Sequence, residues 1–253
     1  MEPLNIILIT QARTGSTRLP GKVLLEINEQ SLLDLHLSRL KKCKSINKII
    51  VATTTNEQDD LIAELCNKSN IQCSRGSEDN VLDRFYQAVK DDKPQWIVRV
   101  TSDCPLLDPQ LVDAVVECAI VNQVDYCSNT LVENFPDGQD VEVFKFSALE
   151  KAWQEAQLKS EQEHVTPFIR NNSAAKGLGL FSAVNFPCFT NFSKIRMTVD
   201  EPKDFDLIVQ LVNDLGTDDN WLNYTNHIIK NNLHIINQDI VRNEGLLKSL
   251  KND

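Results

Sequence analysis

Short apolar runs alternate through the first half of the chain with longer stretches in which apolar residues return every three or four positions. Residues 4–9, 48–53, 71–74 and 96–100 have the first form and read as strands buried on both faces. Between them lie Leu32, Leu33, Leu35, Leu37 and Leu40, then Leu61, Ile62, Leu65 and Cys66, then Val81, Leu82, Phe85, Ala88 and Val89. Each set lines one side of a helix. Regular alternation of this kind predicts β-α-β units: an α/β fold with a mostly parallel sheet flanked by helices. Ser31 suits the N-cap of the first helix, and Asp108 followed by Pro109 suits the start of a helix carrying Leu111, Val112, Val115 and Val116.

The alternation weakens past residue 130. A turn at Pro136-Asp-Gly138 precedes a strand at 140–144, and helical spacing covers 148–157 and 161–171, so residues 134–190 read as an inserted lobe. In the strand, Val141 and Val143 point one way and Asp140 and Glu142 the other, which fits either a site or a solvated edge. Residues 194–200 predict a further strand ending at Asp200, with Pro202 opening a helix through Phe205, Ile208, Val209 and Val212. Short helical segments at 220–253 form a C-terminal appendage, and residues 1–253 read as a single domain with these additions.

Composition narrows the picture. At 42% hydrophobic and 25% charged, the 253-residue chain has an ordinary globular balance rather than that of a disordered one. Its longest apolar runs, such as 114–120, fall far short of the roughly 20 residues that cross a bilayer. The segment Met1-Glu2-Pro3-Leu4-Asn5 has no basic leader, so a cytoplasmic location is expected. Seven cysteines without a C-x-x-C pair read as reduced thiols, and neither they nor the four histidines have the close spacing of a zinc site. The net charge of −10 leaves no basic stripe for nucleic acid, so any anion site must be local.

The loop Gln11-Ala-Arg-Thr-Gly-Ser-Thr-Arg-Leu-Pro-Gly-Lys22 is such a place. Arg13, Arg18 and Lys22, interleaved with Gly15 and Gly21, describe either a solvated surface or a loop that grips a polyanion with backbone N–H groups and side-chain cations. Five residues separate Gly15 from Gly21, and Val23 follows Lys22, so the loop is not a Walker A motif. No dinucleotide fingerprint is present either. At about 4 Å and an effective dielectric near 20, each cation attracts a phosphate charge by about 4 kcal/mol, enough for a cluster to overcome a diffuse negative field. Asp103 follows the strand 96–100 at its carboxyl end, where open α/β sheets hold ligands. It reads as a metal ligand or as an aspartate bonding its own turn; Asp200 mirrors it. The Asp204-Phe-Asp206 pair supports an alternative, a metal-dependent nucleotide-sugar glycosyltransferase, although acidic residues at a helix start also serve its dipole.

The loop 11–22, together with Arg75-Gly-Ser-Glu-Asp-Asn-Val-Leu-Asp-Arg84, Thr101-Ser-Asp-Cys-Pro105, Pro136-Asp-Gly-Gln-Asp-Val-Glu-Val-Phe144, Glu163-His-Val-Thr-Pro167, Thr198-Val-Asp-Glu-Pro202 and Arg242-Asn-Glu-Gly245, resembles the cytidylyltransferase family. The likeness is to its spore-coat-polysaccharide branch, related to the acylneuraminate and 3-deoxy-manno-octulosonate enzymes. The resemblance implies a Rossmann-like nucleotide-diphospho-sugar transferase fold and transfer of CMP from CTP to a sugar-acid acceptor with Mg2+. It assigns the nucleotide to Gln11, Ala12, Arg13, Gly15, Ser16, Lys22, Arg75, Arg84 and Asp103, with Arg18 assisting or bracing the loop. Catalytic roles fall to Arg13, Lys22, Asp103 and Asp200, and the two aspartates hold the metal. Asp140, Glu142, His164, Arg170 and Arg196 are its acceptor-binding candidates, His164 having a rival reading as a residue that bonds the chain. A homodimer through the lobe is implied. Ser102 and Met197 depart from the branch, the first bearing on the width of the cleft and the second on packing.

Overall fold

The structure, a computed structural model, describes residues 4–251 and 253; Met1 to Pro3, part of the segment expected to carry no basic leader, lie outside the described residues. The chain runs from β1 (Ile6–Gln11) through a hairpin of β2 (Glu26–Ile27) and β3 (Gln30–Ser31) into α1 (Leu32–Leu40), then β4 (Lys48–Thr54), α2 (Asp60–Lys68), β5 (Gln72–Gly76), α3 (Val81–Val89), β6 (Trp96–Thr101) and α4 (Pro109–Asn122). It continues with β7 (Tyr126–Ser128), β8 (Glu142–Lys145), α5 (Phe146–Glu155), α6 (Lys159–His164), α7 (Pro167–Asn171), β9 (Ala183–Asn185), α8 (Pro202–Leu215), α9 (Trp221–Lys230) and α10 (Glu244–Leu250).

The main sheet has the order β5-β4-β1-β6-β8-β7-β9. β5, β4, β1 and β6 are mutually parallel; β8 runs against both β6 and β7. The β-branched strands hide apolar side chains on both faces because helices cover both. Leu8, Val51 and Val98 meet α1, α2 and α4 on one side, while Ile7, Ile9, Ile50 and Ile97 meet α3, α5 and α7 on the other. Each fully buried side chain of this size contributes about 2 kcal/mol of transfer free energy. The predicted caps form: Ser31 Oγ accepts from Asp34 N at 3.1 Å, and an Asp108 carboxylate oxygen accepts from Gln110 N at 2.8 Å.

Chain connectivity reverses between β1 and β6. From β1 the chain crosses to β4 and β5 on one side and returns through α3 to β6 on the other, so the loops leaving β1 and β6 open a crevice at their carboxyl ends.

The segment 134–190 contributes β8 and β9 to the main sheet and α5 to α7 to its cover. Two features differ from the sequence expectation. The helix predicted over 161–171 is broken into α6 and α7 by Val165, which takes φ 72°, ψ −58°. Pro167, with no N–H to give to a preceding turn, starts the second piece. The strand predicted at 194–200 is an extended segment outside the sheet, joined by one bridge between Arg196 and Asp137. Its Met197 and Val199 pack with Leu106, Leu207, Leu211 and Tyr224 in a third core. Gly138 permits that approach, because at φ 101° an added Cβ would stand 2.6 Å from the Met197 carbonyl carbon.

Candidate active site

The loop after β1 is braced before it meets any ligand. Thr14 donates its backbone N–H and its hydroxyl to buried Asp59, at 2.8 and 2.6 Å. Gly21, at φ 67°, closes the loop by donating to Thr14 O at 2.9 Å. Ser102, after β6, donates both its hydroxyl (2.7 Å) and its N–H (3.2 Å) to Gln11 O, tying the two loops together.

Lys22 is thereby aimed into the crevice. Its ammonium donates to Asp103 Oδ2 at 2.8 Å and to Asp200 Oδ1 at 2.7 Å. Burial works against the charged form of Lys22, but the two carboxylates outweigh it and raise its pKa. Burial likewise opposes ionised Asp103, and Lys22 overcomes it, holding that carboxyl well below the usual range. Arg18 also reaches Asp200 Oδ1, at 3.1 Å. Asp200 Oδ2 accepts from Arg196 at 2.8 Å. Arg196 is spent within the protein: it also donates to Asp137 at 2.5 Å and to Asp204 at 2.9 and 3.1 Å.

Further along the crevice, Glu142 sits buried on β8. The hydroxyls of Tyr126 and Thr166 donate to its Oε1, each at 2.6 Å, and Arg99 donates to Oε2. Burial alone would raise the Glu142 pKa, yet Arg99 and these hydroxyls hold it below the usual value. His164 Nε2 lies 3.1 Å from Ser249 Oγ on α10. Burial, then the Arg99 charge, push its pKa down to about 4, so the ring is neutral at pH 7. Asp140 is raised to about 7 by burial, against the pull of Arg242 at 2.8 Å.

A cleft of about 680 Å³ joins these groups. On its nucleotide-facing expectation, Gln11, Ala12, Arg13, Ser16, Lys22, Arg84, Asp103 and Asp200 line it; on the acceptor expectation, Asp140, Glu142, His164, Arg170 and Arg196 do. Gly15 and Arg75 are outside the lining. Arg75 donates to Thr54 O, Asn56 O and Asp60 at 2.6–2.9 Å, stapling the end of β4 to the start of α2. The Asp204-x-Asp206 pair does not converge: Asp204 is fully buried against Arg196 and Asn237, and Asp206 is exposed on α8.

Sequence reasoning missed Arg99, Tyr126, Thr166 and the α10 contacts. A lone arginine amid the apolar residues of β6 was the available signal for the first. Nothing local marks Ser249, and Glu244, which meets Arg18 at 3.3 Å, stood in the Arg242-Asn-Glu-Gly245 motif without a role.

Asp103 and Asp200, each with an oxygen within 2.8 Å of one ammonium, can face a single cation. Among the described residues no group of three or more His, Cys, Asp or Glu side chains is arranged for a metal. Two carboxylates are donors of the kind a hard cation takes when phosphate and water supply its other oxygens, as with magnesium.

A family model described as cytidylyltransferase matches residues 7–240. The chain is 35% identical over 217 residues to the spore coat polysaccharide biosynthesis protein SpsF of Bacillus subtilis, covering 84% of this chain and 88% of that one. Over 113 residues, 44% of each chain, it is 32% identical to the 3-deoxy-manno-octulosonate cytidylyltransferase of Elusimicrobium minutum. A solved structure of a cytidylyltransferase from Leptospira borgpetersenii superposes with a TM-score of 0.85 at 31% identity, covering 96% of this chain and all of that one.

Proposed function

Because the chain belongs to the cytidylyltransferase family and is a CTP-dependent nucleotidyltransferase, we propose that it moves CMP from CTP to a hydroxyl of a sugar acid of the nonulosonic kind, releasing pyrophosphate, in the making of a surface polysaccharide or glycan. The observation that carries this reading is the meeting of Lys22 with Asp103 and Asp200 in a cleft that Glu142, Arg99 and His164 also line.

In this reading Arg13, Lys22 and Arg18 take the β- and γ-phosphates, and the braced loop presents its N–H groups to them. Asp103 and Asp200 hold Mg2+, which when bound would neutralise phosphate charge and favour departure of pyrophosphate. Arg84, buried with its Nε–H lacking a partner, borders the nucleotide end. Arg99 and Arg170 each keep a buried Nε–H without a partner, and both line the cleft, which supports an anionic acceptor. His164, neutral and weakly basic, orients the acceptor by hydrogen bonding and contributes little as a proton acceptor. Rate acceleration then comes from positioning and fixed charge rather than covalent chemistry.

The exposed Leu178, Leu180 and Phe189 support a homodimer through residues 134–190, which light scattering would test. For the reaction itself, protein, Mg2+ and CTP are mixed with a panel of nonulosonic and other sugar acids and pyrophosphate is measured. Release with at least one member is expected. Silence across the panel, with no CTP binding by calorimetry, overturns the reading.

A further inference from the structure

Asp103 and Asp200 are already occupied by a cation of the chain's own. We propose that Lys22 is a placeholder in the metal site: its ammonium and a divalent cation alternate between the two carboxylates, and the arriving triphosphate drives the exchange by drawing Lys22 away. The inference rests on the nucleotidyltransferase reading and extends it to the order in which charges change partners.

The geometry separates permanent from transferable partners. Arg196 holds Asp200 Oδ2 at 2.8 Å and is itself locked by Asp137 and Asp204, so it orients the carboxylate whatever else happens. The other oxygen, Asp200 Oδ1, is shared by Lys22 at 2.7 Å and Arg18 at 3.1 Å. Both belong to the loop after β1, whose framework is pinned by Asp59 and by the Gly21 turn, leaving the long side chains to move. The Lys22 ammonium stands between the two carboxylates, and a dication brought beside it would be repelled by it. Phosphate oxygens offer Lys22 and Arg18 a better partner. Once these two turn to the triphosphate, the carboxylates face the cleft with only Arg196 at their back. Metal and nucleotide are then coupled, each favouring the other.

The test is Mn2+ binding to the full chain without nucleotide, read by the paramagnetic resonance of free Mn2+. Lys22→Met removes the placeholder and is expected to bind Mn2+ at least tenfold more tightly than the unaltered protein. The double variant Lys22→Met/Asp103→Asn loses that gain. Lys159→Met, which removes a cation lining the cleft without touching either carboxylate, changes the affinity less than twofold. Equal or weaker Mn2+ binding by Lys22→Met, with its circular dichroism unchanged, overturns the proposal, as does an equal gain in Lys159→Met. If Lys22→Met does not fold, Arg18→Gln decides by the same measurement: tighter Mn2+ binding supports the exchange and unchanged binding overturns it. A protein that binds no CTP under any condition would sink the functional reading, while the nucleotide-free Mn2+ comparison would still report on Lys22.

Discussion

The two ends of the cleft are built differently. At the phosphate end, the anchoring runs through backbone atoms of the loop: Thr14 N–H on Asp59, Gly21 N–H on Thr14 O, Ser102 on Gln11 O. At the other end, each titratable side chain is held by another side chain: Glu142 by Arg99, Asp140 by Arg242, His164 by Ser249. The first end can change its charge partners without losing its frame, because backbone hydrogen bonds hold the frame. The second includes a buried ion pair, and removing Glu142 leaves Arg99 without its charge partner.

Substitutions should therefore separate activity from stability between the two ends. The largest effect is expected from Asp103→Asn, with kcat for pyrophosphate release falling about 10³-fold, some 4 kcal/mol of barrier. Its melting temperature should change less than that of the next variant, and a larger change would break the comparison. Glu142→Gln strands Arg99 in a buried position and should cost about 3 kcal/mol in urea unfolding, while CTP affinity by calorimetry stays within about threefold of the original, a difference worth less than 1 kcal/mol.

Arg13 and Arg75 sharpen the contrast, since the sequence motif suggested both for the nucleotide and the structure puts only Arg13 in the cleft. Arg13 pairs with Glu78 at an exposed position, so Arg13→Ala should leave stability within about 0.5 kcal/mol. It should raise KM for CTP about tenfold through loss of a charge-assisted bond. Arg75→Ala should change that KM less than about twofold, a difference below 0.5 kcal/mol.

A last difference concerns pH. His164 is held at about 4 in the folded chain, chiefly by burial, against an ordinary value of 6.5. The unfolded chain therefore takes up its proton first. The stability that the neutral ring contributes is present above pH 6.5 and is lost as pH falls toward 4. Between pH 7.5 and 5 His164→Gln should lose less stability than the original by about 2 kcal/mol in urea titrations. Fully buried His36, also held at about 4, keeps part of the slope in both proteins.

Much of the phosphate end was legible because its signals are local. Apolar spacing marked the strands and helices, proline and glycine marked the breaks, and Ser31 and Asp108 cap their helices as their neighbours in sequence require. Asp103 and Asp200 were found as residues just past extended segments, although the second segment proved to lie outside the sheet. Its alternation of Ile195, Met197 and Val199 reports burial on one side, and a third core under α8 satisfies that as well as a sheet would. The break at Val165 was hidden, because α6 and α7 together keep a helical spacing that a single residue interrupts. Arg242 belonged to a recognised motif, but its partner Asp140 is 102 positions away and no pattern joined them.

By itself, then, the sequence determined the alternating β-α order, the basic loop after the first strand, the capped helices and the acidic residues that end two extended segments, since each follows from spacing and side-chain chemistry over a few neighbours. Tertiary structure alone decided which charges meet. Lys22 reaches across 81 positions to Asp103 and 178 to Asp200, Arg75 turns away from the cleft, and α10 comes to border it. The physical reason is that the partner of a charge is set by the crossover that reverses direction between β1 and β6 and by the cores that seat each helix, and both depend on the whole chain at once.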